Sequence, residues 1–303
     1  MAVLRVLEGL RSPALDWLFA LITSIGEETV AILLLSAIFW CIDKRLAYAV
    51  GLTYFISGLL VQGMKIGFRI ERPWVLDPSF APVAAAIEHA TGYSFPSGHT
   101  QSAAAVFGTL GFSLKKTWQK TLCFILVVLV GFSRMYLGVH TLADVGVSLA
   151  IGLAVAYVIV RFFMDDIGSG DRKQAYAAAT PAVIAVLSVC FSLWLYSSGI
   201  IEQAYVADMM KMAGSGIGFA VGMSVETRYI RFSVICSKLP MQIVKCLAGI
   251  AGVLAIKEGV KLIAGTSLVM DTLRYFLMGL WMTALFALII RKWFQENKKP
   301  EQG

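Results

Sequence analysis

The sequence predicts an all-α fold, a polytopic transmembrane helical bundle with about nine spans. Three observations lead to this fold class. The 303 residues are 58% hydrophobic and only 15% charged, whereas soluble domains carry about 25% charged residues. The mean hydropathy is +0.76. Apolar runs of about 17 to 25 residues recur along the chain, and a helix needs this length to cross a bilayer.

Nine segments have this apolar character. They lie at about 14–41, 46–67, 97–114, 118–138, 140–163, 178–199, 207–227, 240–264 and 272–293. The stretch 23–28 interrupts the first segment, so it can divide into an interfacial helix and a shorter span. Residues 1–12 are expected to form a short amphipathic helix at the membrane surface.

Basic residues are concentrated in the loops on one side of these segments. They are Lys44, Arg45, Lys115, Lys116, Lys120, Arg161, Arg172, Lys173, Arg228, Arg231, Lys238, Lys292, Lys298 and Lys299. This excess predicts that these loops are cytoplasmic. Nine spans then place the N-terminus outside, although Arg5 and Arg11 argue against that placement. The net charge of +7 is thus a topology signal, and no nucleic-acid partner is predicted.

The longest loop on the opposite side runs over residues 68–96. It holds four of the eight prolines, which are Pro73, Pro78, Pro82 and Pro96. Proline interrupts helices, and a loop of this length in a compact protein is more often functional than idle. The loop therefore marks the outer face as the place to look for a site.

Three polar clusters fall at this outer face. They are Lys65-x6-Arg72-Pro73, Pro96-Ser97-Gly98-His99, and Ser133-Arg134-x5-His140-x3-Asp144. Each has a plain alternative, since helix-end cations snorkel, a Pro-Ser-Gly segment caps a helix, and single histidines occur at interfaces. Asp144 is harder to explain in this way, because a carboxylate one turn into a membrane helix is costly without a partner. Taken together, the clusters favour a functional site.

The residue types predict phosphate chemistry without a metal or other cofactor. Lys65, Arg72 and Arg134 supply charge-assisted donors, and arginine forks match phosphate oxygens. Ser97 and the backbone amides of Gly98 and His99 lie at a helix N-terminus, which favours an anion. No acidic cluster of the kind that holds magnesium accompanies them.

The two histidines can divide the catalytic work. Asp144 lies four residues after His140, so it can accept a hydrogen bond from one ring nitrogen and leave the other free to attack phosphorus. His99 can then protonate the leaving alcohol oxygen and later take a proton from water.

The three clusters, in this order and with these spacings, resemble the signature of the type 2 phosphatidic acid phosphatase superfamily over about residues 40–163. The resemblance implies a core of five to six helices and a metal-independent phosphatase with a phosphohistidine intermediate. It implies His140 as nucleophile, Asp144 as its orienting partner and His99 as acid and base. It assigns the phosphate to Lys65, Arg72, Ser97, Gly98 and Arg134, with Arg69 and Ser133 as weaker candidates.

The chain is expected to divide into a phosphatase core with its interfacial helix (1–163), a cytoplasmic linker (164–177) and additional C-terminal transmembrane helices of unknown role (178–303). Charged residues in or near these last helices have two open interpretations, internal ion pairs or a polar path. They are Asp208, Lys211, Glu226, Lys257 and Glu258.

The leading hypothesis is a multi-pass plasma-membrane phosphatase with its site on the non-cytoplasmic side. Its substrate would be a lipid phosphate or pyrophosphate, namely a phosphatidate-like lipid, a sphingoid-base phosphate or a polyprenyl pyrophosphate. Open alternatives are a lipid phosphotransferase, a glucose-6-phosphatase-like sugar phosphatase and a non-catalytic transporter or scaffold. An ER-like membrane fits the pattern equally well. The expected partners are the phosphorylated lipid and membrane lipids, and a homo-oligomer is left open.

Overall fold

The computed structural model describes residues 1–88, 90–234, 239–265 and 267–293. These residues form helices joined by short turns and one long loop, and they contain no β-strand. The all-α prediction is therefore confirmed. The helices are α1 (Ala2–Glu8), α2 (Pro13–Ser24), α3 (Glu28–Cys41), α4 (Lys44–Phe68), α5 (Pro73–Leu76), α6 (Ala84–Ile87), α7 (Gly98–Ser113), α8 (Thr117–Tyr136), α9 (Leu142–Val158), α10 (Arg172–Ser197), α11 (Gln203–Val225), α12 (Leu239–Ala264), α13 (Leu268–Leu280) and α14 (Phe286–Trp293). Short π-helical turns extend α9 and α11 and join α13 to α14.

By length and composition, six helical segments of the described chain could cross a membrane, or seven if α2 and α3 count as one bent span. The predicted count of nine is not confirmed. The third predicted span is α7, which has only 16 residues. The seventh is α11, whose glycines, together with Asp208 and Lys211, lower its apolar content.

The break predicted within the first span is present. The axes of α2 and α3 meet at an angle of 47°, and Gly26 lies at the turn between them. A Cβ atom at Gly26 would lie 2.7 Å from the backbone oxygen of His99 and 2.9 Å from Cγ1 of Val130. The turn therefore presses against the first residues of α7, which only glycine permits.

The N-terminal helix α1 is fixed to the long loop. Arg5 donates to Asp77 at 2.6 Å, and the Glu8 carboxylate accepts from the amide of Ala81 at 3.3 Å. Arg11 donates to the carbonyl of Tyr136 at 3.2 Å. Arg5 and Arg11, whose positive charges count against an outer N-terminus in the sequence analysis, thus hold the loop and the end of α8 in place.

The buried helix α4 organises the bundle, because it contacts α3, α7, α9, α10 and α11. The C-terminal helices pack directly on this core, with α10 and α11 against α4 and α12 against α3. Helix α10 begins at Arg172, inside the segment predicted as a linker. The C-terminal helices are therefore part of the same packed body.

Glu226, at the end of α11, has an internal partner. Its carboxylate lies 2.7 Å from Nζ of Lys44 and accepts from the hydroxyl of Tyr48 at 2.6 Å. The pair lines a cavity of about 660 Å³ at the start of α4, the end of that helix remote from Lys65. For Glu226 the ion-pair interpretation is confirmed.

Glycines form the contact between α11 and α13. A Cβ atom at Gly214 would lie 2.5 Å from the carbonyl oxygen of Thr272, and one at Gly218 would collide with the carbonyl oxygen of Phe276. Small residues spaced four apart let membrane helices approach closely. This contact, called the glycine seam, is formed by Gly214 and Gly218 of α11 against α13. It fixes the position of α11, which in turn reaches the site described below.

Gly218→Val is expected to destabilise the protein, because the added side chain would push α11 away from α13. Overpacking of this kind costs typically about 1–3 kcal/mol. The measurement is the thermal unfolding midpoint of the purified protein in detergent. Gly259→Val in α12 is the matched control, since a Cβ atom there meets nothing within 4 Å. Equal midpoints for the two variants would contradict the proposed role of the seam.

Candidate active site

One cavity of about 260 Å³ opens at the end of the bundle where α4 and α8 end and α7 and α9 begin. Six of the predicted site residues line it: Lys65, Arg72, Gly98, His99, Arg134 and His140. They come from four separate parts of the chain. The structure therefore brings into one cavity six residues that the sequence predicted only to lie at the same outer face of the membrane.

The other two predicted site residues, Ser97 and Asp144, do not line this cavity. Ser97 is fully buried and caps α7, where its hydroxyl oxygen accepts from the hydroxyl of Thr100 at 2.9 Å. Asp144 is 2% exposed and lies behind His140. The amide of Ser97 donates to the carbonyl of Asp144 at 3.2 Å, and the Asp144 carboxylate faces His140, so both residues contact other site residues rather than the open space.

His140 has two distinct ring nitrogens. Nε2 lies 3.0 Å from Nη1 of Arg72, and a guanidinium can only donate. Nε2 therefore accepts, which puts the proton of the neutral ring on Nδ1. Nδ1 faces Oδ2 of Asp144 at 3.5 Å, longer than a hydrogen bond.

Burial lowers the pKa of His140 well below its ordinary value, and the charges of Arg72, Arg134 and Lys65 lower it further. Each of these effects disfavours a second proton on the ring. A neutral imidazole with its Nε2 lone pair towards the cavity follows at physiological pH.

Asp144 is held by the first turn of α9 and by the loop. Its Oδ2 accepts from the amide of Thr141 at 2.7 Å and from the hydroxyl of Ser94 at 2.6 Å. The hydroxyl of Thr141 completes the reciprocal capping arrangement, which fixes both residues at a helix start. Ser94 was missed in the sequence, since nothing distinguishes it there from an ordinary loop serine.

Arg72 and Lys65 also hold the loop. Arg72 donates to the carbonyls of Gly92 at 2.9 Å, Thr91 at 2.7 Å and Val139 at 2.9 Å. Lys65 donates to the carbonyl of Tyr93 at 3.2 Å. These bonds fold the loop over the cavity and fix the positions of both cations.

Arg134 is fully buried, and only part of its guanidinium is satisfied. Its Nη1 donates to the hydroxyl of Thr23 at 2.8 Å. Its Nε and Nη2 have no hydrogen-bond partner among the described residues. Unsatisfied buried donors are costly, so these two nitrogens are well placed to donate to an anion in the cavity.

The two weaker candidates lie away from the cavity wall. Arg69 ends α4 with a left-handed backbone (φ 52°) and donates to the carbonyls of Ile66 and Gly67. The hydroxyl of Ser133 is buried and donates to the carbonyl of Val130 at 2.7 Å.

The C-terminal helix α11 completes the cavity wall. It contributes Asp208, Lys211 and Met212, and Lys211 pairs with Asp208 at 3.0 Å. Tyr205 stacks on Tyr93 of the loop, with ring centroids 4.5 Å apart. Both open interpretations therefore hold here, since the pair is internal and also lines a polar space. The sequence showed these charges, but nothing in it placed α11 beside α4 and α7.

Two family models match the chain. Residues 45–167 match the PAP2 superfamily, and residues 210–296 match the PAP2 superfamily phosphatase, transmembrane extension. The first match covers the core with its three clusters, and the second covers α11 from residue 210 onward together with α12, α13 and α14.

Several characterised proteins are similar to this chain. Phosphatidylglycerophosphatase B of Bacillus subtilis (strain 168) is 33% identical over 105 residues, which are 31% of this chain and 50% of that protein. Sphingosine-1-phosphate phosphatase 1 of Mus musculus is 26% identical over 220 residues, 69% of this chain and 48% of that protein. Undecaprenyl-diphosphatase BcrC of Bacillus subtilis (strain 168) is 30% identical over 168 residues, 53% of this chain and 82% of that protein. The chain thus spans about half the length of the first two relatives.

A solved structure is also similar, that of the first transmembrane PAP2 type phosphatidylglycerolphosphate phosphatase from Bacillus subtilis. It is 27% identical with a TM-score of 0.46, and the match covers 55% of this chain and 84% of that one. With two family models matched in sequence and a relative 30% identical over most of its own length, this multi-pass membrane protein belongs to the PAP2 superfamily.

Proposed function

We propose that the protein is a membrane lipid phosphatase that releases phosphate from a phosphorylated lipid through a phosphohistidine intermediate. The observation that carries this proposal is that one cavity brings two histidines together with Lys65 and the buried Arg72 and Arg134. The orphan donors of Arg134 support an anion as the ligand. No metal ion or other cofactor is part of the proposal.

The phosphate binds between the cationic side chains and the start of α7. Lys65, Arg72 and Arg134 donate to its oxygens, and the helix N-terminus at Gly98 adds backbone donors. A Cβ atom at Gly98 would meet nothing within 4 Å, so the space above this backbone is open to the ligand. Ser97 acts indirectly by capping α7. One phosphate oxygen takes over the Arg72 hydrogen that Nε2 of His140 accepts in the free protein.

In the first step Nε2 of His140 attacks phosphorus. A nitrogen–phosphorus bond forms, and the bond from phosphorus to the lipid oxygen breaks. His99 gives its proton to that oxygen, and the lipid alcohol leaves. Asp144 faces the Nδ1 proton and stabilises the positive charge that the ring gains.

In the second step water attacks the phosphohistidine. His99 takes a proton from the water, the nitrogen–phosphorus bond breaks, and inorganic phosphate leaves with His140 neutral again. If an alcohol replaced water, the same residues would perform phosphotransfer. Product analysis with and without an added alcohol separates the two reactions.

The substrate is a lipid rather than a sugar in this proposal. The three relatives are named for a phosphatidylglycerol phosphate, a sphingoid-base phosphate and an undecaprenyl diphosphate, which are all lipids. The site lies at helix ends, where a headgroup meets the protein. The basic loops support placing this end on the non-cytoplasmic side of a plasma membrane. The contact of α1 with the loop supports an N-terminus on that same side.

His140→Ala is expected to lower phosphate release by at least about a thousandfold, because loss of a nucleophile removes the covalent route. The measurement is phosphate release by purified protein from a panel of lipid, prenyl and sugar phosphates. Size-exclusion chromatography of the variant checks folding. Substantial activity in a well-folded variant would exclude His140 as the nucleophile, and hydrolysis of sugar phosphates alone would exclude the lipid proposal.

Treatment with a chelator is expected to leave phosphate release unchanged, because amino-acid side chains supply all the positive charge in the proposed site. The measurement is activity before and after dialysis against EDTA, with restoration by magnesium as the control. A loss that magnesium restores would show that a metal ion takes part.

His140 is expected to titrate below the ordinary histidine value of 6.5, because burial and three nearby cations oppose its protonation. The chain has three histidines, so NMR of the ring-labelled, ligand-free protein can follow each one. The signal lost in His140→Ala identifies the residue. A midpoint at or above 6.5 would contradict the neutral imidazole that the attack requires.

A further inference from the structure

A second polar cavity lies at the end of α4 that is remote from the candidate active site. Its volume is about 660 Å³, against about 260 Å³ for the cavity that contains the two histidines. Three separate parts of the chain line it: the turn from α3 into α4, the loop before α10 and the end of α11. The proposed phosphatase reaction uses none of these residues.

The buried acid of this second cavity is engaged within the protein itself. Glu226 is 1% exposed, and its carboxylate pairs with Lys44 at 2.7 Å and accepts from the hydroxyl of Tyr48 at 2.6 Å. The amide of Phe232 is a third donor, at 3.2 Å. Nζ of Lys44 also lies over the Phe232 ring, 4.6 Å from its centroid. These contacts account for one cation and one carboxylate of the cavity.

Two arginines of the second cavity have no such partner. Arg45 and Arg231 line it and are exposed, and no carboxylate oxygen of the described residues lies within 4.0 Å of either guanidinium. Nε of Arg231 donates to the carbonyl of Thr227 at 3.1 Å, which helps to fix this side chain. Asp43, the other acid, caps α4 by accepting from two amides of its first turn at 2.7 and 3.1 Å. With three cations and two carboxylates, the cavity has an excess of positive charge.

Exposed aromatic side chains indicate that this end of the bundle lies at the level of lipid headgroups. Tyr176, near the start of α10, is 68% exposed, and Tyr229, in the π-helical turn after α11, is 74% exposed. Tyrosine is enriched at membrane–water interfaces, because its ring is apolar and its hydroxyl is polar. The basic loops predict that this is the cytoplasmic face. Both neighbouring segments therefore support an opening towards the headgroups of the adjacent leaflet.

Membrane topology alone does not account for this arrangement. The excess of lysine and arginine that orients a membrane protein depends on their number in the short loops, and it does not require a cavity between helices. Arg45 and Arg231 come from distant parts of the chain and line the same space. Basic pockets between transmembrane helices on the cytoplasmic side bind acidic lipid headgroups, and the planar fork of arginine matches phosphate oxygens.

We propose that this cavity binds the phosphate group of an anionic phospholipid, with Arg45 and Arg231 as the donors. The cavity is larger than the candidate active site, so it has room for the headgroup as well as the phosphate. The lipid is a bound ligand and not a substrate, and the inference is independent of the proposed reaction. Because the ligand would join three separate segments, its binding is expected to stabilise the folded protein.

The test uses the purified full-length protein in a neutral detergent with added phosphatidylglycerol, a phosphodiester. Native mass spectrometry measures the bound lipid, and the thermal unfolding midpoint reports stabilisation. The wild type is expected to retain one phosphatidylglycerol in preference to zwitterionic phosphatidylcholine, with a raised midpoint. In the double variant Arg45→Gln, Arg231→Gln the Kd for phosphatidylglycerol is expected to rise by about tenfold to a hundredfold, the range for a hydrogen bond to a charged group.

The double variant Arg172→Gln, Arg228→Gln is the matched control. It removes the same charge at the same end of the bundle, and both side chains are exposed and lie outside the cavity lining. This control should keep the wild-type affinity. An equal loss of binding in the two double variants would show only a general attraction to basic residues and would overturn the assignment.

Two further measurements keep the test decisive. Glycerol 1-phosphate supplies the same phosphate group in soluble form, and binding as tight as that of phosphatidylglycerol would overturn a lipid as the ligand. Equal retention of phosphatidylcholine and phosphatidylglycerol by the wild type would overturn the role of the arginines. If the first double variant does not fold, Arg231→Gln is compared with Arg228→Gln, and equal affinities of these two would contradict the proposal.

Discussion

The structure depends on an excess of positive charge buried at one end of a helix bundle. Lys65, Arg72 and Arg134 line the same cavity, and the buried carboxylate of Asp144 lies behind His140. Buried charges of one sign repel, and leaving buried donors unsatisfied costs free energy. The fold tolerates this arrangement partly because backbone carbonyls of the loop accept hydrogen bonds from Arg72 and Lys65. The donors that stay unsatisfied are Nε and Nη2 of Arg134, and these can bind an anion.

The same positive charge determines the protonation state of His140. A cationic wall keeps His140 neutral, and the donor from Arg72 selects the tautomer with its proton towards Asp144. Asp144 in turn is fixed by Thr141 and Ser94, so a helix cap and a loop, and not the proposed catalytic residues alone, build this geometry. In the proposed reaction, preorganisation of this kind would let a small set of side chains act on a phosphate without rearrangement.

The C-terminal helices give the cavity its remaining wall. The glycine seam sets α11 close to α13, and α11 then contributes Asp208, Lys211 and Met212 to the wall of the candidate site. The helices that match the transmembrane extension of the superfamily are therefore not an appendage to the core. They shape the region where parts of a substrate beyond its phosphate would lie.

The sequence by itself determined the fold class, the break between α2 and α3, and the residues of the cationic wall, because apolar runs and motif spacing are local properties. It also predicted the common face of Lys65, His99 and His140. It did not determine the number of spans, since α7 is short and α11 is rich in glycine, and both are covered by neighbours rather than by lipid alone. The sequence also did not show that Ser97 and Asp144 lie behind the cavity wall, or that Glu28 and Asp208 line the cavity. Those positions follow from how distant helices pack, and contacts between residues far apart in the chain leave no periodic signal in the sequence.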